Sequence, residues 1–229
     1  FNVVDISVFF KTIFISIIVT ILNLLFCYPI AFYIAKVAQP NSARFLIIAL
    51  IIPFWINELL RSFALRVLLA NEGVINTFLT QIGLIDTGLL FITNNVGLYS
   101  GLTYAYLLLM MFPLYNAIES LDKNQLEAAK DLGSSTFWTH IRVVIPHAKP
   151  GIVSGCTMVF MLTVGALATP VVLGGPNTLW FPELIYQWFK MSNNWSRGAA
   201  YSFLLLIISV IFVLTMMRLF KVRIGEIIK

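Results

Sequence analysis

Long runs without a charged residue constrain the fold of this chain more than any other feature of its sequence. There are 24 uncharged residues between Lys11 and Lys36, and 20 between Arg197 and Arg218. A helix of about 20 residues crosses the roughly 30 Å apolar core of a bilayer. These runs therefore predict an all-α polytopic membrane protein.

The composition supports the same class of protein. Hydrophobic residues make up 59% of the 229 residues and charged residues 11%, whereas soluble domains are about 25% charged. A soluble domain of this length could not bury so much apolar surface, so a cytosolic enzyme, a disulfide scaffold and a disordered chain are all excluded. Cys27 and Cys156 lie in apolar runs without metal-ligand or CxxC spacing, and we expect both to be buried hydrophobic side chains.

Five membrane-spanning helices are predicted from the windows between charges. They lie between Lys11 and Lys36, at 45–69, at 96–118, at 150–173, and between Arg197 and Arg218. Three charged residues, Glu58, Arg61 and Arg66, interrupt the second window. Charges within a membrane segment are costly, so their presence requires an explanation.

Basic residues are concentrated in alternate loops and in the tail. They are Lys36, Arg44, Lys123, Lys130, Arg142, Lys149, Arg218, Lys221, Arg223 and Lys229, whereas the loops at 70–95 and 174–199 hold only Lys190 and Arg197. The positive-inside rule then places the C-terminus in the cytoplasm. With five spans the N-terminus falls outside, and we expect a further span upstream of Phe1. The net charge of +5 is explained by orientation, so no nucleic-acid partner is expected.

The two outer loops contain apolar patterns. Val74, Ile75, Phe78, Leu79 and Ile82 recur at helical spacing within 72–85, which predicts a short helix lying on the membrane surface. In the second outer loop, we interpret three tryptophans as an interfacial aromatic belt in preference to ligand contacts. They are Trp180, Trp188 and Trp195.

The cytoplasmic loop at 122–149 is the most organised polar segment of the chain. Gln125 to Leu132 are good helix formers, and Gly133 is placed to end that helix. A residue of 134–136 can cap a second helix running through His140 to Val144, where Pro146 would stop it. The predicted pair of short helices forms a protrusion suited to a groove on a partner. Both histidines of the loop, His140 and His147, are expected to be solvated or backbone-bonded.

This loop resembles the EAA loop of the permeases of ABC importers. It contains Glu127-Ala128-Ala129, then Gly133, then Val143-x-Ile145-Pro146, where the family pattern ends in Ile-x-Leu-Pro. The resemblance implies that the segment from Glu127 to His140 docks into a cleft on a cytoplasmic ATPase. The implied coupling residues are Glu127, Ala128, Ala129, Gly133, Ser135, His140 and Pro146.

The resemblance extends over the whole chain and is to the spermidine/putrescine permease subfamily. The matching residues are Pro53-Phe54-Trp55-Ile56-Asn57 with Arg61, Asn76, Pro113-Leu114-Tyr115, and Leu173-Gly174-Gly175-Pro176. It implies a type I ABC-importer permease fold, with six spans in the family, as a single permease domain at 1–229 that contains the coupling loop at 122–149. The location implied is the bacterial inner membrane.

The same resemblance implies the function and the partners. The chain would translocate a polyamine by alternating access, and would not itself be an enzyme. Its partners would be an ABC ATPase dimer, a second homologous permease subunit, an extracytoplasmic substrate-binding protein and the lipid bilayer. The sequence has no GxxxxGK[ST] motif, so ATP with Mg²⁺ is expected on the partner ATPase, and this chain is expected to bind no cofactor.

The charges of the second span allow two interpretations. Glu58 and Arg61 are three residues apart on a helix and could form an internal ion pair. Alternatively, these charges belong to the substrate path, where a polyamine would meet an aromatic face and a carboxylate; both could hold. The path residues predicted in this span are Trp55, Asn57, Glu58 and Arg61.

The segment at 165–170 differs from the pattern of polyamine-type permeases. Polyamine-type permeases often carry Gly-Asp-Phe-Val-Thr-Pro, whereas 165–170 reads Gly-Ala-Leu-Ala-Thr-Pro. This places Thr169 and Pro170 in the predicted path, with Glu58 supplying the missing negative charge.

Other functions remain open at the level of sequence. The solute could be ferric iron, thiamine or an anion. A secondary transporter or channel would need more carboxylates within its spans than Glu58 alone. A membrane-embedded enzyme would need a catalytic constellation that the sequence does not show, and a scaffold subunit would have no transport role.

Overall fold

The computed structural model describes residues 3–85, 87–176 and 178–222, and the regular secondary structure of these residues is entirely helical. The helices are α1 (Val3–Phe32), α2 (Pro40–Ile51), α3 (Glu58–Leu68), α4 (Val74–Gln81), α5 (Val96–Glu119), α6 (Lys123–Asp131), α7 (Thr136–Thr139), α8 (Ile145–Val164), α9 (Ala168–Leu173), α10 (Phe181–Lys190) and α11 (Trp195–Phe220). Arg223 and Lys229 of the predicted basic tail lie outside the described residues.

Within the described ranges, four continuous helical segments are long and apolar enough to cross a membrane. They are Val3–Val37, Val96–Glu119, Thr136–Val164 and Trp195–Phe220. The first includes a π-helical turn at Tyr33–Val37, and the third joins α7 to α8 through another at His140–Val144. The predicted first, third and fifth spans are confirmed as helices, although α1 begins eight residues before Lys11 because one lysine does not end a helix.

The predicted second span is not a straight helix. It consists of two helical pieces, Pro40–Trp55 and Glu58–Leu68, which meet at an angle of 94°. Pro53 lacks a backbone donor, and the chain tightens to a 3₁₀ turn over Ile52–Trp55. Asn57 then starts α3 as its N-cap, because its side chain accepts a 2.8 Å hydrogen bond from the backbone N–H of Leu59. If the bent pair counts as one span, the number is five, as predicted.

The boundaries predicted for the fourth span are wrong. The helix runs over Thr136–Val164, through both Pro146 and Pro150, and the segment at 168–173 forms the separate short helix α9. Pro146 therefore does not stop the second loop helix. The π-helical turn at His140–Val144 widens the backbone just before Pro146, which relieves the clash between a proline ring and the preceding turn.

The described residues group into two compact units, and the long helices contribute to both. The first unit comprises the described parts of 1–19, 54–106 and 161–208. Its core contains Val8, Phe181, Leu184 and Tyr201, and the Tyr201 hydroxyl donates to the Asp5 carboxylate at 2.6 Å. Trp180 is fully buried and its ring N–H donates to the Thr163 carbonyl at 3.3 Å, so its assignment to an aromatic belt is wrong.

The second unit comprises the described parts of 20–53, 107–160 and 209–229. In this unit α8 packs closely on α5. Gly151 has no side chain, so its backbone can approach Pro113 and Ala117 more closely than a residue with a Cβ could. Phe160 and Phe212 stack with their ring centroids 3.7 Å apart. The absence of a side chain at Gly151 therefore serves helix packing.

The helix predicted within 72–85 is confirmed as α4, whereas its location on the membrane surface stays a prediction. Asn76, which is buried, donates to the carbonyls of Ala70, Asn71 and Leu89 at 3.0–3.2 Å and accepts from the Leu89 N–H at 2.9 Å. One side chain thus holds the chain on both sides of the helix. Three apolar residues of α4 are exposed, namely Val74 (62%), Ile75 (37%) and Phe78 (61%), whereas Leu79 is half-buried.

Candidate functional site

A chain of hydroxyl and carboxyl groups joins α3 to α9 in the first unit. The Thr169 hydroxyl donates to Glu58 Oε1 at 2.9 Å, and the Tyr106 hydroxyl donates to the same oxygen at 3.4 Å. Ser62 lies 3.2 Å from Thr169, and since the single hydroxyl proton of Thr169 is directed to Glu58, Ser62 is the donor in that pair. Ser62 and Thr169 are buried. These contacts stabilise a carboxylate within an apolar segment.

Glu58 also lines a cavity of about 300 Å³. The other lining residues are Tyr106, Met161, Leu162, Gly165, Ala166, Leu167 and Ala168. The break between α8 and α9 forms one wall, where the backbone N–H of Gly165 bonds to the carbonyl of Met161 at 3.1 Å. The cavity therefore combines one carboxylate and a tyrosine with a mainly apolar wall.

Arg61 does not pair with Glu58 among the described residues. Its guanidinium lies over the rings of Phe54 and Tyr104, 4.5 and 5.4 Å from their centroids, and its buried Nε and Nη1 have no described hydrogen-bond partner. Cation–π contact with two rings thus takes the place of the expected ion pair. The ion-pair interpretation is wrong in this structure.

The other residues predicted for the path lie at different places. Trp55 is 87% exposed and ends the 3₁₀ turn, whereas Asn57 is the N-cap of α3. Pro170 is buried within α9 and its carbonyl accepts a hydrogen bond from the Gly174 N–H. The structure therefore brings Glu58 and Thr169 together directly, while Asn57 sets the start of the helix that carries Glu58. A role for these residues in substrate passage stays a prediction.

The first helix of the predicted coupling loop is α6. Asp122 is its N-cap and accepts from the Asn124 N–H at 3.0 Å. Glu127 and Ala128 are exposed and Ala129 is half-buried. Gly133 ends the helix with φ +77°, a left-handed conformation that favours glycine.

The second loop helix begins at Ser135, which is the N-cap of α7 without a side-chain capping bond. Thr139 donates to the Ser135 carbonyl at 3.1 Å instead. Leu132 is 88% exposed and Phe137 67% exposed. An exposed apolar surface on a polar loop is typical of a docking site.

The two loop histidines are not simply solvated. His140 Nδ1 lies 2.7 Å from the Tyr28 hydroxyl, and His147 Nε2 lies 3.0 Å from the Ser120 hydroxyl. The expectation of a solvated or backbone-bonded histidine is therefore wrong for the half-buried His140, whereas His147 is exposed to solvent. Pro146, the last predicted coupling residue, lies at the second position of α8 and is exposed.

Three residues of these clusters were not predicted from sequence. Ser62 lies four residues after Glu58 on α3 and could have been found from helical spacing. Tyr106 and Tyr28 lie 48 and 112 residues from their partners, and nothing in the local sequence distinguishes them from other aromatic residues of the spans.

The described residues form several helices long and apolar enough to span a membrane, and a polar segment at 122–149 that begins with two short helices. The chain belongs to the family described as "Binding-protein-dependent transport system inner membrane component", which its sequence matches over residues 3–224. It is thus a permease component of an ABC importer and a multi-pass protein of the inner membrane.

Curated relatives cover most of the chain. It is 36% identical over 202 residues to the spermidine/putrescine transport system permease protein PotB of Haemophilus influenzae, covering 88% of this chain and 70% of that protein. It is 38% identical over 194 residues to PotB of Escherichia coli K12, covering 84% and 70%.

A solved structure shows the same fold. The chain superposes with a TM-score of 0.73 and 18% identity on the crystal structure of a bacterial ABC transporter involved in the import of the acidic polysaccharide alginate, covering 96% of this chain and 84% of that one. The expected type I ABC-importer permease fold is therefore confirmed.

Proposed function

We propose that this chain carries a polyamine, spermidine or putrescine, through an ATP-driven importer. Two relatives at 36% and 38% identity are named for this solute class. A polyamine is a flexible chain of methylene groups with ammonium ends, so it needs carboxylate or aromatic contacts and an apolar wall. The cavity beside Glu58 offers a carboxylate, a tyrosine and apolar side chains.

One observation carries the proposal. Ala166 occupies the position at which polyamine-type permeases often have an acid, and Ala166 lines the same cavity as Glu58. A carboxylate on α3 is therefore available to the space that the missing acid would have served. Both hydroxyl contacts to Glu58 go to Oε1, which leaves Oε2 available to accept from an ammonium group.

The work of transport is proposed to come from partner subunits. An ABC ATPase pair binds ATP with Mg²⁺, while this chain contributes no cofactor site and no catalysis. The exposed surface of α6 and α7 docks on the ATPase, and the C-terminus lies in the cytoplasm. An extracytoplasmic binding protein delivers the solute, and a second homologous permease completes the path.

The proposed cycle is a rigid-body switch between outward-open and inward-open states. ATP binding closes the ATPase pair, which pulls on the docked loop and shifts the attached spans. Hydrolysis and release reverse the shift. The solute must bind weakly enough to leave the cavity again. A single carboxylate in a small cavity fits this requirement better than a site with several charged groups around the solute.

Uptake competition tests the solute class. The complex with its binding protein would be reconstituted in liposomes containing ATP, and uptake of labelled spermidine measured against excess putrescine, thiamine, ferric citrate or sulfate. We expect competition by putrescine alone. Uptake of one of the other solutes with no spermidine uptake would retain the importer and overturn the polyamine assignment.

A further inference from the structure

One segment of α1 is bonded to both flanks of the coupling loop. The Tyr28 hydroxyl lies 2.7 Å from Nδ1 of His140, which directly follows α7. Eight residues further along, the Lys36 ammonium donates to the carbonyl of Glu119 at 2.9 Å and to the carbonyl of Leu121. Those two carbonyls lie just before α6. Both ends of the coupling loop are therefore bonded to one helical stretch, which consists of the end of α1 and the π-helical turn at Tyr33–Val37.

His140 is packed as well as hydrogen-bonded. Its ring lies edge-to-face against Phe32, with centroids 4.4 Å apart, and against Tyr28 at 5.8 Å. Two ring contacts and one hydrogen bond fix the imidazole against α1, so a displacement of His140 requires a displacement of that helix or the loss of all three contacts. Close-packed side chains have low compressibility, so they transmit such a displacement to their neighbours.

A π-helical turn begins at His140, and another begins five residues after Tyr28. On α1 the turn is Tyr33–Val37, closed by the 2.8 Å bond from the Ala38 N–H to the Tyr33 carbonyl. The other turn begins at His140 itself and is closed by the bond from the Ile145 N–H to the His140 carbonyl. Such turns carry one extra residue, occur often at functional sites, and allow a helix to change direction.

We infer that the Tyr28–His140 contact is the link through which movement of the coupling loop passes into α1. Tyr28 and His140 act as positioning residues, and Lys36 ties the other flank of the loop to the same helix. The inference rests on the proposed function, because it assumes that the ATPase moves this loop. It goes further in assigning the route by which that movement reaches a membrane span, through the contacts of His140 with Tyr28 and Phe32.

The matched variants are Tyr28→Phe, which removes one hydroxyl, and Tyr33→Phe, which does the same at a tyrosine that is 50% exposed. The readout is spermidine transported per ATP hydrolysed by the reconstituted complex. We expect Tyr28→Phe to lower this ratio roughly threefold to tenfold, equivalent to one hydrogen bond, while ATP hydrolysis continues. Tyr33→Phe should keep the wild-type ratio.

An exchange of partners adds a second readout. The double variant Tyr28→His with His140→Tyr places a hydroxyl and an imidazole at the same two positions, and we expect it to recover part of the lost ratio. If Tyr28→Phe keeps the wild-type ratio, or lowers uptake and hydrolysis in proportion, the contact is only structural and the inference is overturned.

A distance measurement separates this inference from the solute assignment. Spin labels at Val37→Cys on α1 and Lys130→Cys on α6 would be compared with and without ATP and vanadate, since Cys27 and Cys156 are buried. We expect the distance to be unchanged by ATP in the wild type and to change in Tyr28→Phe. If the distance changes with ATP in the wild type, the link is overturned. If the distance behaves as expected but the wild-type complex does not transport spermidine, only the proposed solute is overturned.

Discussion

At the scale of single residues, Glu58 is the group that we propose contacts a cationic solute. Its carboxylate is held by hydroxyl groups from α5 and α9, and no cation among the described residues pairs with it. Replacing it as Glu58→Gln keeps the shape and removes the charge. We expect spermidine uptake at low solute concentration to fall roughly tenfold or more, because a hydrogen bond to a charged group is lost, while assembly and basal ATP hydrolysis stay intact.

The controls for Glu58 use a distant and a nearby residue. Glu72→Gln alters an exposed carboxylate and should leave uptake unchanged. Adding Ala166→Asp to Glu58→Gln returns an acid to the same cavity and should restore part of the uptake. Unchanged uptake in Glu58→Gln would remove this residue from the solute path.

Asn76 is the clearest single-residue determinant of stability in the first outer loop. Asn76→Ala removes its hydrogen bonds to four backbone groups. The carbonyls of Ala70 and Leu89 keep the N–H groups of Gly73 and Phe91, whereas the Asn71 carbonyl and the Leu89 N–H lose their described partner. We expect the free energy of unfolding to fall by about 1–3 kcal/mol, measured as a lower unfolding temperature of the purified complex. Asn94→Ala, at an exposed asparagine, should show no comparable loss.

At the scale of elements, the helices with a uniform apolar pattern could be predicted and the broken ones could not. The span at 96–118 is within one residue of α5, because nothing interrupts its apolar sequence. The second and fourth spans contain Pro53, Asn57 and Gly165, and each sets a break whose angle depends on packing rather than on local sequence. Pro146 and Pro150 were expected to mark helix boundaries and instead lie within α8. The π-helical turn just before α8 makes room for the ring of Pro146.

The packing of α8 on α5 gives a prediction about Gly151. A Cβ at this position would lie 2.4 Å from the Pro113 carbonyl oxygen and 2.5 Å from the Ala117 side chain. Gly151→Ala must push the two helices apart, and we expect it to destabilise the protein by about 1–3 kcal/mol in thermal unfolding. Gly97→Ala, where the nearest atom is 3.5 Å away, should be neutral or stabilising; equal losses would contradict the packing account.

The elbow of the coupling loop depends on Gly133. Its φ of +77° costs an ordinary residue about 1–2 kcal/mol. Gly133→Ala should therefore weaken solute-stimulated ATP hydrolysis more than Gly133→Asn does, because asparagine tolerates this conformation better. Since a Cβ at Gly133 would meet no atom of another part of the chain within 4 Å, a clash with packed neighbours is excluded, and equal activity in the two variants would count against a fixed elbow.

At the scale of the whole molecule, the sequence was more informative about class than about contacts. The EAA-like residues and the basic loops were sufficient for the family and the fold, which the match over residues 3–224 confirms. The residues around Glu58 could be predicted only in part, because Tyr106 and Thr169 are 48 and 111 residues away along the chain. The same holds for Tyr28 and His140, which only the packing of α1 brings together.

The central claim is that ATP hydrolysis on a partner drives polyamine passage through this chain by way of the loop that contains Glu127. The most direct measurement is ATP hydrolysis by the complex reconstituted in lipid with its binding protein, titrated with spermidine, for the wild type and for Glu127→Ala. The account predicts hydrolysis that rises with spermidine in the wild type and a much weaker rise in the variant. Hydrolysis that never responds to spermidine, or responds equally in both, would contradict it.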